Sequence, residues 1–170
     1  MRRKSECPGI IIRRAGAEGV ANELAIEIHG LGKKYGRLPA LMDLKLDVCC
    51  GEIFGFLGLN GAGKTTTIRI LLDLLRPTTG RAKVFGKDCQ LHGLEVRQRA
   101  GYLPGEIKFY GDMTGEELLN LLARVGRRPV NRDHRLDLQK KLELSSQDLR
   151  RKIREYSAGM KRKLGIIQVF

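Results

Sequence analysis

Residues 58 to 65 read Gly58-Leu59-Asn60-Gly61-Ala62-Gly63-Lys64-Thr65, and the chain changes character on either side of them. Before them, Ile53-Phe54-Gly55-Phe56-Leu57 is an apolar run of strand length, the form taken by parallel strands covered on both faces. After them, Ile68, Leu71, Leu72 and Leu75 recur at the i, i+3, i+4, i+7 spacing of a helix with one buried face, and Arg76-Pro77 and Gly80 stop it. Strand, loop and helix in this order place the loop at a strand's carboxyl end and a helix's amino end, which points to an α/β architecture. Glycines there let backbone N–H groups wrap a phosphate chain, a lysine reaches its outer oxygens, and a hydroxyl ligates magnesium. The helix amino end adds its positive dipole. The pattern predicts a nucleoside triphosphate site, with Gly58, Asn60, Gly61, Ala62, Gly63, Lys64, Thr65 and Thr66 around the phosphates and Thr65 on the metal.

A chain of 170 residues is the size of one domain and can bury a sizeable core. With 42% hydrophobic and 30% charged residues its composition is that of a globular protein rather than a disordered or fibrous one. No apolar run approaches the roughly 18 to 20 residues that span a bilayer. The basic start Met1-Arg2-Arg3-Lys4 precedes only Ile10-Ile11-Ile12, too short a run for a signal-peptide core. A cytosolic chain is expected. Cys7, Cys49, Cys50 and Cys89 show no metal-ligand spacing, and buried reduced thiols are the expected state.

The formal charge is +13, and much of it lies between Arg124 and Lys163, including Arg127, Arg128, Arg150, Arg151, Lys152, Lys161, Arg162 and Lys163. Such a face attracts nucleic acid, anionic lipid or an acidic partner. Tyr156 is the one aromatic side chain among these charges, too few for base stacking, so a solvated or membrane-proximal face is expected and nucleic acid is not.

Along the chain, residues 1–23 have no clear period and read as a flexible basic leader. Ala25 to Ile28 and Leu44 to Val48 alternate as half-exposed strands, and Ala82 to Phe85 and Ala100 to Leu103 read as short strands. Thr114 and Glu117 form a capping box for a helix whose buried face is Leu118, Leu121, Leu122 and Val125. A second helix is expected over Asp133 to Leu144, and a third from Ser157 through Leu164 and Ile167.

The stretch Tyr156-Ser157-Ala158-Gly159-Met160-Lys161-Arg162-Lys163-Leu164 resembles the signature element of ATP-binding cassette (ABC) ATPases, leucine-serine-glycine-glycine-glutamine before a basic helix. Tyr156 stands for leucine, Ala158 for a glycine and Met160 for glutamine. A serine N-cap with small neighbours exposes helix N–H groups and a hydroxyl to an anion. In the family that anion is the γ-phosphate of ATP held by the loop of a second subunit, which assigns Ser157, Ala158, Gly159 and Met160 to ATP bound in trans. Ile28 to Gly36 looks like the family's strand and turn whose aromatic stacks on adenine, here Tyr35; Gly51 to Gly55 and Leu75 to Gly80 also resemble family stretches. After Gly101-Tyr102-Leu103-Pro104 the family commonly places a glutamine at the magnesium and the attacking water. Gly105-Glu106 stands here, and Glu106 reads either as a carboxylate near a metal-bound water or as a solvent-facing turn residue.

The resemblance covers residues 24–170. It implies a P-loop NTPase (RecA-like) α/β core with N-terminal antiparallel strands over 24–105, an inserted α-helical subdomain over 106–163 that ends in the signature, and over 164–170 the start of the helix returning to the core. It implies ATP and magnesium as cofactors, and as partners a second ATPase subunit and multispan membrane permease subunits. These would hold the chain at the inner face of the membrane. The family's hydrolytic strand, apolar and ending in Asp-Glu, does not occur in this sequence, nor does the later histidine that senses γ-phosphate. The expectation is a chain truncated before that strand, with the C-terminal part of the core missing, an unpaired edge on the strand before the loop, weak or absent ATP binding and negligible hydrolysis by the chain alone. The look of the Phe54–Gly58 and Leu103–Glu106 stretches is that of exporters. A soluble relative acting on ribosomes or DNA, and a non-hydrolytic nucleotide-binding remnant, remain as alternatives.

Overall fold

The computed structural model describes residues 10–15, 23–126 and 131–169. They gather into two compact units, Met1–Ala100 and Gly101–Phe170; the sequence reading places this division after residue 105.

In the first unit, β2 (Leu24–Tyr35) and β3 (Leu38–Cys49) form a long antiparallel hairpin turned by Gly36 at φ 59. Strand β5 (Thr79–Val84) pairs with the other side of β2, and β6 (Lys87–Asp88) follows, giving the order β3-β2-β5-β6. Alternate residues of these strands point to one face. Ile28, Leu31, Leu44, Leu46 and Val84 are buried there with Ile70 of helix α1 (Lys64–Leu71) and Val96 of helix α2 (Gly93–Arg99). Each such side chain contributes about 1.5–3 kcal/mol of apolar burial. The alternation over 44–48 is present inside a longer strand, whereas residues 25–27 are all half-buried and only Ile28 is fully buried, so 25–28 does not alternate.

The strand before the loop, β4 (Ile53–Gly58), differs from the sequence expectation of a doubly covered strand. Phe54 and Phe56 pack on the core, while Ile53 is 78% and Leu57 50% exposed. Its ladder is antiparallel, to β1 (Ile10–Ala15), with Ile10 opposite Gly58 and Ala15 opposite Ile53. One edge of β4 is therefore paired, and part of the expected leader is a strand. Three consecutive β-branched isoleucines favour extended backbone, and an open edge supplies the hydrogen-bonding groups they need. The rest of that leader, 1–9 and 16–22, lies outside the described residues, as do Cys7, Arg127 and Arg128.

Helix α1 ends earlier than its apolar spacing suggests. Leu72 caps it, Asp73 turns left-handed at φ 54, and the amides of Asp73 and Leu74 close back on the carbonyls of Ile70 and Arg69 at 3.0 and 2.8 Å. This is a Schellman ending with aspartate in the usual glycine position. Of the expected stripe Leu72 is buried and Ile68 is exposed, and Thr67 and Ile70 are the helical residues that face the core. The Asp73 carboxylate meets Arg76 and Arg97, each at 3.4 Å, and lies against Gly93 at the start of α2. Cys89 is buried; burial first, then the charges of Asp88 and Asp73, pushes its thiol up to about 12, so it stays protonated. Cys49 and Cys50 are partly exposed rather than buried, because β3 stops at Cys49 and Cys50 lies in the turn beyond it.

The second unit is helical: α3 (Gly115–Gly126), α4 (Arg132–Lys141), α5 (Ser146–Arg150), a 3-10 turn (Ile153–Glu155) and α6 (Ala158–Val169). Leu118, Leu119, Leu144, Leu149, Ile153 and Leu164 form much of its core. The Thr114–Glu117 capping box is present, at 2.8 and 3.2 Å. The buried stripe of α3 is turned from the expected one: Leu119 is inside, and Leu121 and Val125 are exposed. Helix α4 stops at Lys141, where Glu143 turns left-handed at φ 51 and the amides of Glu143 and Leu144 bond the carbonyls of Lys140 and Gln139. Ala100 is extended, but residues 101–104 form no ladder among the described residues, so the strand expected over Ala100–Leu103 is not formed.

Candidate functional site

Strand β4 delivers the chain to Gly58, and the loop then folds on itself through a 3.1 Å bond from the Ala62 amide to the Leu59 carbonyl. Gly61 and Gly63 stand at φ 86 and 87, where side-chain-bearing residues are strained. At Gly61 a Cβ would meet open space, so only the conformation requires glycine. At Gly63 a Cβ would also come within 2.7 Å of the Ala40 carbonyl on β3, so the strand's close approach requires it as well.

Gly63 is the N-cap of α1 and offers no side-chain cap, and the first turn holds no acidic residue. The leading amides of the helix therefore lack a side-chain acceptor, which makes this end an anion site. Lys64 is the first helical residue; its Nζ donates to the carbonyls of Gly58 at 2.6 Å and Leu59 at 2.7 Å. Asn60 and Gly61 are exposed, Ala62 and Thr66 half-buried. The exposed Thr65 hydroxyl has no hydrogen-bond partner among the described residues. It fits a magnesium ion that takes one protein oxygen and fills its other positions with water and phosphate.

Tyr35 ends β2, half-exposed, with Lys33 Nζ 5.4 Å from its ring centroid. The turn around it is tied down by Lys33 Nζ on the Arg76 carbonyl at 2.7 Å and the Lys34 amide on Thr78 Oγ1 at 3.0 Å. An exposed, anchored ring can stack on a base. Strand β3 leaves this hairpin and passes behind Gly63, so ring and loop share one support.

In the second unit Ser157 caps α6: its Oγ accepts from the Met160 amide at 3.2 Å and its carbonyl from the Lys161 amide at 3.0 Å. The hydroxyl keeps its own hydrogen free to donate. Ser157, Ala158 and Gly159 are exposed, and the first turn of α6 has no acidic residue. Tyr156, which stands for leucine in the resemblance, is buried and donates its hydroxyl to the Asp148 carbonyl at 2.7 Å. Burial, then the Asp148 charge, pushes that phenol's pKa up. Gly165 of α6 is close to Leu103 and Ile107, whose methyls would stand 2.7 and 2.8 Å from a Cβ. Glu106 is exposed in a bend.

The structure thus groups Tyr35 and residues 58–66 in one unit and Glu106 and residues 157–160 in the other. The sequence reading passed over Thr67. It is 1% exposed and bonds the Gly63 carbonyl through its hydroxyl at 3.0 Å and its amide at 2.8 Å. Its signal was a third threonine four residues after the last loop glycine.

The sequence profile of the ABC transporter family matches residues 41–170. A bacitracin transport ATP-binding protein of Bacillus licheniformis is 35% identical over 141 residues, 83% of this chain and 45% of the relative. A daunorubicin resistance ATP-binding protein of Streptomyces coeruleorubidus is 38% identical over 146 residues, 85% of this chain and 46% of the relative. The chain therefore spans about half the length of the curated relatives it matches. Among solved structures, a dimeric ATP-binding cassette in a post-hydrolysis state, bound to ADP and Pi, superposes with a TM-score of 0.67 at 21% identity, over 85% of this chain and 68% of that one. At that identity the likeness is one of fold.

Proposed function

The chain belongs to the ABC transporter family of ATP-binding proteins, and on that premise we propose that it is the ATP-binding part of an exporter, coupled to separate membrane subunits. The observation that carries the proposal is the loop at the start of α1, where two left-handed glycines, Lys64 and Thr65 surround an uncapped helix end. In this reading Gly58, Asn60, Gly61, Ala62, Gly63 and Thr66 cradle the phosphates and Thr65 holds magnesium. Lys64 exchanges its two loop carbonyls for phosphate oxygens, and Tyr35 stacks on adenine. Magnesium, when bound, neutralises phosphate charge. Ser157, Ala158, Gly159 and Met160 would present the end of α6 to ATP on a second copy or a related subunit, and Glu106 would face the metal-bound water. The names of the relatives, a bacitracin transport protein and a daunorubicin resistance protein, support a drug exporter as the whole assembly, with the chain held at the inner face of the cell membrane by its membrane subunits. No described helix is long and apolar enough to cross a membrane.

Positioning and charge neutralisation supply most of the catalysis in phosphoryl transfer. These 170 residues contain no apolar strand ending in Asp-Glu, so by themselves they bind more readily than they hydrolyse. Melting followed with magnesium–ATP, ATP in EDTA and AMP tests the reading. The expected result is a concentration-dependent rise with magnesium–ATP alone, with phosphate release at background. A melting point indifferent to ATP would sink the binding claim, and turnover typical of intact transport ATPases would sink the hydrolysis claim.

A further inference from the structure

Gly63 is held from two sides. From the helix, Thr67 directs both its hydroxyl, at 3.0 Å, and its amide, at 2.8 Å, to the Gly63 carbonyl. From the sheet, the Ala40 carbonyl and the Leu41 side chain close on the Gly63 Cα, leaving 2.7 and 3.1 Å where a Cβ would stand. Thr67 is 1% and Leu41 4% exposed. We infer that Thr67 is a positioning residue for the phosphate loop, acting through Gly63; the inference rests on the triphosphate reading of this loop.

The argument is geometric. A peptide unit is planar and trans, so the Gly63 carbonyl and the Lys64 N–H belong to one rigid plate and point in opposite directions. Two donors from Thr67 occupy both acceptor sites of that carbonyl and fix the plate's rotation. The Lys64 N–H is then aimed away from the helix, toward the place an anion takes at its amino end. Leu41 and Ala40 block the other way the plate could turn. Such preorganisation stabilises a bound anion without reorientation on binding. A buried threonine bonding the carbonyl four residues back is also a common way to bury a hydroxyl in a helix, so the test separates positioning from packing.

Thr67→Val keeps shape and burial while removing the hydroxyl, and Thr67→Ser keeps the hydroxyl. In the full 170-residue chain, calorimetric titration with magnesium–ATP and with inorganic tripolyphosphate should show about tenfold weaker binding of both by Thr67→Val, and binding within about twofold of wild type by Thr67→Ser. Amide exchange in the ligand-free chain is the second readout. The Thr67 and Ala62 amides, bonded to Gly63 and Leu59, should exchange about fivefold faster in Thr67→Val. The Leu72 amide, bonded to Ile68, should stay unchanged. Equal loss of affinity in the valine and serine variants, or unchanged exchange at Thr67 and Ala62, overturns the inference. Absent binding by wild type and Lys64→Ala alike refutes the triphosphate reading, and the inference with it, whereas the exchange result identifies failure of the clasp alone.

Discussion

The hydroxyl of Tyr156 lies directly against the backbone of Gly115, so that a Cβ on that glycine would strike the phenol oxygen. The same hydroxyl donates to the Asp148 carbonyl, and the ring thereby joins α3, α5 and the segment before Ser157. Gly115→Ala should cost about 1–3 kcal/mol through overpacking. Tyr156→Phe should cost about 0.5–1.5 kcal/mol, toward the lower end because Asp148 O also accepts from the Arg151 amide. The double variant should be more stable than the sum of the singles, since the phenylalanine removes the atom the alanine meets. Urea denaturation of the four proteins measures this; strict additivity would show that the contact does not govern either site.

Two helix caps in the second unit make it sensitive to acid. Bonds to the Thr114 amide and hydroxyl lower the Glu117 pKa, and bonds to Ser145 lower that of Asp148. A carboxylate whose folded pKa is depressed adds stability above its unfolded value, and this is lost as pH falls through the folded one. The loss should therefore develop below about pH 4. Glu117→Gln with Asp148→Asn keeps side chains able to hydrogen-bond but removes their titration, so the fall in melting temperature toward low pH should be shallower. Parallel acid profiles for wild type and the double variant would refute the assignment.

Much of the site was readable in the residues because its rules are local. Left-handed glycines, the lysine and hydroxyl at a helix start, the Thr114–Glu117 box and the Ser157 cap all act within a few residues. The missed features depend on distant partners. Leu119 displaced Leu121 from the core because the helices that α3 packs against decide which stripe is covered. The pairing of β1 with β4 joins segments some forty residues apart, beyond any periodicity. Tyr156 departs from the leucine of the signature element, and its partner, the Asp148 carbonyl, lies outside that element. Helix α1 stopped short because an aspartate took a conformation usually given to glycine.

That ending recurs in α4, and the two copies should respond differently to glycine. Glu143 is left-handed at φ 51, its side chain is exposed, and Lys163 bonds its backbone carbonyl rather than its carboxylate. Glu143→Gly should stabilise the chain by about 0.5–1 kcal/mol by removing the left-handed penalty. Asp73→Gly removes the same penalty but also both arginine contacts, and should give no gain. Thermal unfolding of the two variants decides it. A stabilised Asp73→Gly would show that the ion pairs with Arg76 and Arg97 contribute little.

Lys64 should divide stability from ligand response. Its ammonium bonds the carbonyls of Gly58 and Leu59, but the Leu59 carbonyl also accepts from Ala62 and Gly58 is only half-buried. Little is orphaned when the ammonium goes. Lys64→Met should therefore unfold within about 1 kcal/mol of wild type. It should lose the melting rise with magnesium–ATP, because no other side chain of the loop carries positive charge to the phosphates. Lys64→Arg should not restore that rise, since a planar guanidinium is a poor replacement for a compact ammonium among closely spaced oxygens. Melting of the three proteins across a range of ATP concentrations is the measurement. A full ATP response in Lys64→Met would mean that the nucleotide is held somewhere other than residues 58–66.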